Sequence, residues 1–286
     1  MLLGFDRWKY LLLFLLVLGI TTAIDLSRPD LFKVTAAEFL ELRSTYRSIP
    51  LGSLFSRQNE QSDRTSIYSF PEQQAHSLPL SLLGWQDLEN SGDYFDRIQP
   101  TPLGYLVWSN FPVKIYCDRP ENKDRQFNAS QKRSQQWLKA VEKAIAEWNE
   151  VIPLEVVLEP EIADIMVDRI SPAIKGKINS ETGLFDLPPV RSATTSYKFY
   201  LSQDKPPILS HRMTVQISPT LGYDAILGAA RHELGHALGI WGHSEAETDI
   251  MYRSQTRNLA SISPRDINTL KKVYQQPTQL GWRVSK

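Results

Sequence analysis

The chain has 286 residues, and its hydrophobic fraction of 42% and charged fraction of 22% are typical of a globular protein. Lys and Arg together number 32, as do Asp and Glu, so the formal net charge is zero and we expect no nucleic-acid partner. Cys117 is the only cysteine, which excludes an intrachain disulfide and a zinc site built from cysteines.

The N-terminal segment, residues 1–25, is predicted to be a signal peptide or a membrane anchor. Arg7 and Lys9 precede an uncharged apolar run from Tyr10 to Ile24, whose length lies between a signal-peptide core and a full membrane span. Positive charges before the run favour an N-terminus held in the cytoplasm. We therefore expect an exported protein, secreted or membrane-anchored through this segment, with a buried soluble helix as a third alternative.

Residues 26–102 are predicted to form a weakly ordered lead-in or pro-segment. A short helix is expected at 35–46, but the stretch 56–64 is polar and charged, a composition that buries little apolar surface. Several prolines punctuate the approach to the next region. One hypothesis is that this lead-in acts as an inhibitory pro-segment.

Residues 103–286 have the pattern of a mixed α/β domain. Alternating or continuous apolar runs predict strands, and a stretch rich in Gly, Pro and polar residues predicts a loop at 171–189. The predicted strands cover residues 105–108, 113–116, 154–158, 162–167, 194–201 and 213–217.

Three helices are predicted in the same region. The first covers 130–150 and carries an apolar stripe at the 3.6-residue period. The second begins near Asp224, the predicted N-cap, and runs to about residue 238. The third covers 262–274, with Ser263 as its N-cap and a proline at its first position.

The second of these helices contains the sequence His-Glu-Leu-Gly-His at 232–236. Residues four apart project from the same face of a helix, so the imidazoles of His232 and His236 can reach one metal ion. Glu233 can approach a metal-bound water from there without being a ligand. The motif therefore predicts Zn²⁺ bound by the two histidines, with Glu233 as the catalytic base.

A catalytic zinc commonly takes three protein ligands and one water, so a third ligand is needed. Gly239 can end the helix, because glycine accepts the left-handed conformation at little cost. The chain can then turn beneath the metal and return His243, with Asp249 as a more distant alternative. Met251 follows at a position where a turn could pack under the zinc site.

This run resembles the metzincin clan of zinc peptidases, and within it the matrixins. The residues that carry the resemblance are His232, Glu233, His236, Gly239, His243, Ser244 and Met251. The usual metzincin spacing puts the third histidine at position 242, which is Gly242 here, and a one-residue insertion accounts for the difference. The resemblance implies an α+β metzincin-like domain: a mixed, mostly parallel twisted sheet, an active-site helix and a small C-terminal subdomain.

The resemblance also implies a zinc-dependent endopeptidase that cleaves protein or peptide substrates. Substrate would lie extended and add to an edge strand at 194–201. Two alternatives remain, a membrane-tethered zinc-binding interaction protein that does not cut and a zinc hydrolase acting on another substrate class. Glu233 argues against the first, because a structural zinc site has no need of that carboxylate and is normally closed by a fourth protein ligand.

Three other side chains have less specific interpretations. Cys117 is predicted to be a small core residue, since it lies inside a strand. His211 precedes a predicted strand and is interpreted as a loop histidine. Trp241 lies beside the third ligand and either walls the site or packs the turn.

Overall fold

A computed structural model describes residues 69–119, 129–174, 176–178, 181–186, 191–254 and 259–285. The apolar N-terminal segment, the helix expected at 35–46 and the polar stretch 56–64 lie outside these ranges, so what was inferred about them stays a prediction. Within the described ranges, no helix is both long and apolar enough to cross a membrane.

One five-stranded sheet forms the centre of the domain. Its strands are β1 Val113–Cys117, β2 Leu154–Val157, β3 Ile165–Asp168, β6 Ala193–Leu201 and β7 Leu209–Ile217. Their order is β2-β1-β3-β7-β6, and all neighbours are parallel except β6, which runs antiparallel to β7 at the sheet edge. The mixed, mostly parallel sheet confirms the predicted fold class, and β6 is the edge strand expected at 194–201.

The described residues form four α-helices, α1 Leu80–Gly84, α2 Ala129–Asn149, α3 Tyr223–Leu238 and α4 Pro264–Tyr274. The last three are the predicted helices. The predicted start of α4 is confirmed: Ser263 Oγ accepts a hydrogen bond from the Asp266 amide at 3.1 Å, and the Asp266 carboxylate accepts one from the Ser263 amide at 2.7 Å. This reciprocal capping box satisfies two amides that the helix itself leaves unpaired.

The core lies between the sheet and helices α2 and α3. Every second side chain of β1 and β7 is buried, as expected for strands whose two faces differ. The apolar stripe of α2 is buried as predicted, and its two tryptophans donate hydrogen bonds across the core. Trp137 Nε1 donates to Ile217 O at 3.3 Å, and Trp148 Nε1 donates to Arg231 O at 2.8 Å. These bonds tie α2 to β7 and to α3.

The strand predicted at 105–108 is wrong. Leu106, Val107 and Trp108 are buried, but they form no strand. Trp108 Nε1 instead donates to Ala237 O at 3.0 Å, so this run packs beneath the C-terminal turn of α3. A short apolar run reports burial and does not by itself report strand pairing.

Three other local predictions differ from the structure. Helix α3 begins after Gly222, which caps it without a side-chain bond, so Asp224 lies in the first turn and is not the N-cap. A negative charge in the first turn still stabilises the helix through its dipole. The predicted loop at 171–189 contains two short antiparallel strands, β4 Lys177–Ile178 and β5 Phe185–Asp186. Strand β7 begins at Leu209, so His211 is a buried strand residue rather than a loop histidine.

Residues 69–102, part of the predicted lead-in, pack against the domain. Leu82, Tyr94 and Ile98 are buried in its core. The Tyr94 hydroxyl donates to Asp266 Oδ1 at 2.5 Å, and Trp85 Nε1 donates to Asn268 Oδ1 at 2.8 Å, so both contacts fall on α4. The predicted division between residues 102 and 103 therefore does not coincide with a break in packing.

Candidate metal centre and active site

Helix α3 carries the first two candidate ligands, and the loop that follows it carries the third. The helix ends at Gly239, whose φ of 128° is a conformation that side chains other than glycine rarely adopt. The chain turns there and brings His243 back towards His232 and His236. One ring nitrogen from each of these three histidines lies within 4.8 Å of the other two. The structure thus brings together the three ligands predicted from the motif.

Two of the three imidazoles have a defined tautomer. The Nδ1 atom of His232 lies 2.8 Å from Ile250 O, and the Nδ1 atom of His236 lies 2.7 Å from Ile240 O. A carbonyl oxygen only accepts, so each Nδ1 carries the proton and each Nε2 keeps its lone pair for a metal. Burial lowers the pKa of His232 to about 4 and that of His236 to about 3, so both are neutral at physiological pH.

The resulting donor set fits Zn²⁺. Three imidazole nitrogens are a common protein ligand set for catalytic zinc, and neutral imidazole is the form that binds it. Burial, and then the nearby charges of Arg253 and Arg191, lower the pKa of His243 as well. All three side chains are therefore held in the protonation state that a metal requires.

Asp249, the alternative third ligand, has another role. It is buried, and its carboxylate accepts hydrogen bonds from Ser244 Oγ at 2.5 Å, Ser263 Oγ at 2.8 Å and Arg265 Nε at 3.0 Å. These bonds occupy both oxygens and connect the loop carrying His243 to the start of α4. Asp249 is therefore an anchor of this loop, and the histidine cluster does not include it.

Met251 packs beneath the site, where the sequence predicted a supporting turn. It is fully buried under α3 at Gly235. A Cβ atom at position 235 would collide with Met251 Sδ and would lie 3.2 Å from the ring of Trp148. Gly235, between His232 and His236, therefore allows the close approach of this methionine to the helix.

Glu233 is buried beside the histidines and is bonded to the edge strand. Thr195 Oγ1, on β6, lies 2.6 Å from Glu233 Oε2 and 3.0 Å from Glu233 O, so its single proton is shared between these acceptors. Burial raises the pKa of Glu233 to about 7, and the Thr195 bond and Arg191 oppose that rise. The sequence analysis did not identify Thr195, because nothing in the chain indicates which edge-strand residue contacts α3.

The three histidines and Glu233 line a cleft of about 890 Å³. Small side chains of α3 line one part of it, among them Ala225 and Ala229, and β6 contributes Thr194 and Thr195. Trp241 lines the cleft, in agreement with the first interpretation of this residue, and its ring packs edge-on against Tyr197 of β6, with the ring centroids 5.0 Å apart.

An ion pair of the buried Arg231 connects α3 to α2. Arg231 forms a bidentate contact with Glu147 of α2, with distances of 2.5 Å from Nε to Oε2 and 2.8 Å from Nη2 to Oε1. Its Nη1 donates to Ala260 O at 2.7 Å, and Ala260 lines the cleft. One side chain therefore connects α3 both to α2 and to a wall of the cleft.

Comparison with known proteins supports the family suggested by the motif. Residues 197–275 match the family model of the matrixins. The search of curated proteins gave no match. The matched stretch includes α3, His243, Met251 and α4, and the match supports a metalloprotease in general. The match over residues 197–275 is consistent with a matrixin-like metzincin.

Proposed function

We propose that this protein is a zinc-dependent endopeptidase, with His232, His236 and His243 as the metal ligands and Glu233 as the general base. The observation that carries the proposal is the convergence of three neutral imidazoles beside a buried carboxylate in an open cleft. A closed structural zinc site normally takes a fourth protein ligand, whereas this arrangement contributes three histidines and an adjacent base.

Zn²⁺ held by the three histidines would polarise the scissile carbonyl and lower the pKa of the attacking water. Glu233 accepts the proton of that water and can return it to the leaving amine. Its burial suits the role, because a carboxylate with a raised pKa both takes and gives a proton near neutral pH. Thr195 holds one carboxylate oxygen, which leaves the other to face the reacting water.

The proposed substrate is an extended peptide that adds to β6. This strand lies at the sheet edge, and its residues Ala193, Thr194 and Thr195 line the cleft. An edge strand offers unpaired backbone groups that can bind a peptide main chain in β-fashion. The apolar segment at residues 1–25 supports export, and we propose a site of action outside the cytoplasm.

The test measures the zinc content of the full chain and of its Glu233→Gln variant, together with the hydrolysis of casein and gelatin by each. We expect about one zinc per chain in both proteins, because the ligand set is unchanged, and hydrolysis only by the wild type. Hydrolysis that survived the substitution would remove Glu233 from the mechanism. Zinc in both proteins without hydrolysis of casein or gelatin would instead support the zinc-binding interaction protein.

A further inference from the structure

We propose that Arg191 and Arg253 form a subsite for a carboxylate of the substrate, an inference that rests on the proposed peptidase function. The two arginines come from different parts of the chain. Arg191 lies just before β6, and Arg253 follows the turn that contains Met251. Both line the cleft that contains the metal centre, and both side chains are exposed to solvent.

Both arginines line the same cleft as the three histidines and Glu233. Burial, and then the charges of Arg253 and Arg191, lower the pKa of His243, and Arg191 opposes the rise that burial causes in the pKa of Glu233. A ligand that contacts these arginines would therefore lie beside the reacting groups and not at a remote surface.

The arginines have no internal counter-ion among the described residues. None of the ion pairs formed by those residues involves Arg191 or Arg253. Three acidic side chains other than Glu233 line the cleft. Of these, Asp249 is bonded to Arg265, and neither Asp224 nor Glu247 pairs with Arg191 or Arg253.

The two arginines therefore present positive charge to the cleft. Guanidinium groups bind carboxylates through paired, charge-assisted hydrogen bonds. The fitting ligand is therefore a peptide carboxylate, from an internal Asp or Glu or from a free C-terminus.

The experiment measures peptide binding to the zinc-loaded full chain carrying Glu233→Gln, so that no cleavage is needed. Short alanine-based peptides carry one Glu, or one Gln, at each position in turn, and each is made with a free or an amidated C-terminus. Arg191→Gln and Arg253→Gln are added separately and together. Arg133→Gln, at an exposed position of α2 outside the cleft, is the matched control.

We expect binding to be about tenfold or more tighter for one member of a matched pair, given the usual strength of hydrogen bonds to charged groups. Tighter binding of the Glu peptide than of its Gln counterpart identifies an acidic side chain as the source of the carboxylate. Tighter binding of the free acid than of the amidated peptide identifies the C-terminus. The preference should fall towards one in the double variant and persist in the Arg133→Gln control. Equal binding within both pairs, or a preference that the double variant retains, would overturn the inference. Failure of the wild type to cleave any protein would count against the peptidase function alone, because this binding assay is independent of turnover.

Discussion

Thr195→Val removes the hydroxyl that holds Glu233 and keeps nearly the same side-chain shape. The lost contact is a 2.6 Å hydrogen bond to a carboxylate oxygen that is buried with the rest of the side chain. Hydrogen bonds to charged groups contribute about 1.5–3 kcal/mol. If this bond is what orients the carboxylate towards the reacting water, its loss should lower kcat by about 10- to 150-fold, since 1.4 kcal/mol corresponds to a factor of ten.

The assay is steady-state hydrolysis of a peptide substrate, with zinc content and thermal unfolding measured on the same preparations. We expect KM and zinc content to change little, because the side-chain hydrogen bonds of Thr195 among the described residues go to Glu233 and not to the three imidazoles. Thr195→Ser restores the hydroxyl without the methyl group and should recover most of the lost kcat. Full kcat in Thr195→Val, or a serine variant as impaired as the valine variant, would show that the Thr195 hydroxyl does not orient Glu233.

Three further predictions concern stability. Residues 101–286 produced alone should unfold at much lower temperature than residues 69–286, because truncation removes three buried side chains worth about 2 kcal/mol each. Glu147→Ala should lower the free energy of unfolding by about 3 kcal/mol in urea titrations, because it leaves Arg231 buried without its carboxylate. His211 is buried with a pKa lowered to about 3 from 6.5, so protonation opposes folding. The contribution of neutral His211 to the free energy of unfolding should be fully present above pH 6.5. It should fall by up to about 1.4 kcal/mol per pH unit from there towards pH 3, and His211→Gln should remove that part of the slope.

Each of these has a matched comparison. The surface pair between Arg119 and Glu142 is about half exposed on both sides, so Glu142→Ala should cost no more than about 1 kcal/mol. An equal loss in the Glu147 and Glu142 variants would show that the burial argument is wrong. For His211, parallel pH profiles of the wild type and the glutamine variant would contradict the assigned source of the slope. Equal melting temperatures for residues 101–286 and 69–286 would show that the packed lead-in adds no stability.

The parts of this protein that sequence reasoning predicted well depend on local patterns. The ligand spacing on α3, the apolar stripe of α2 and the cap at Ser263 each follow from helix geometry, in which the nearest neighbours are three or four residues away. The position of His243 could also be predicted from the sequence, because Gly239 marks the end of the helix and the loop that follows is short. The convergence of the three histidines could therefore be predicted without knowledge of the fold.

The parts that were missed depend on contacts between distant segments. Thr195 and Glu233 are 38 residues apart, and only the packing of β6 on α3 brings them together. The role of Asp249 depends on α4, which supplies Ser263 and Arg265. Composition likewise did not predict that residues before 103 pack on α4. Trp85 and Tyr94 bind there through hydrogen bonds to polar side chains, and such bonds leave no pattern in the sequence.

The packed part of the lead-in contacts the loop that carries His243. Gly242, which stands where the usual metzincin spacing has the histidine, packs directly on the carbonyl of Arg97, and a Cβ atom there would collide with it. Trp241 O accepts a hydrogen bond from the Gln99 amide at 3.0 Å, and Arg97 pairs with Glu245 at 2.9 Å. The segment before residue 103 thus supports the residues on both sides of His243.

This contact bears on the pro-segment hypothesis. A purely inhibitory segment leaves an intact and more active enzyme when it is removed, whereas a segment that supports the third ligand does not. We therefore expect residues 101–286 to retain less zinc than residues 69–286, as measured by metal content after dialysis. Full zinc retention with increased hydrolysis by the shorter protein would restore the inhibitory role to residues 69–100. Any inhibitory action would otherwise have to come from residues 26–68.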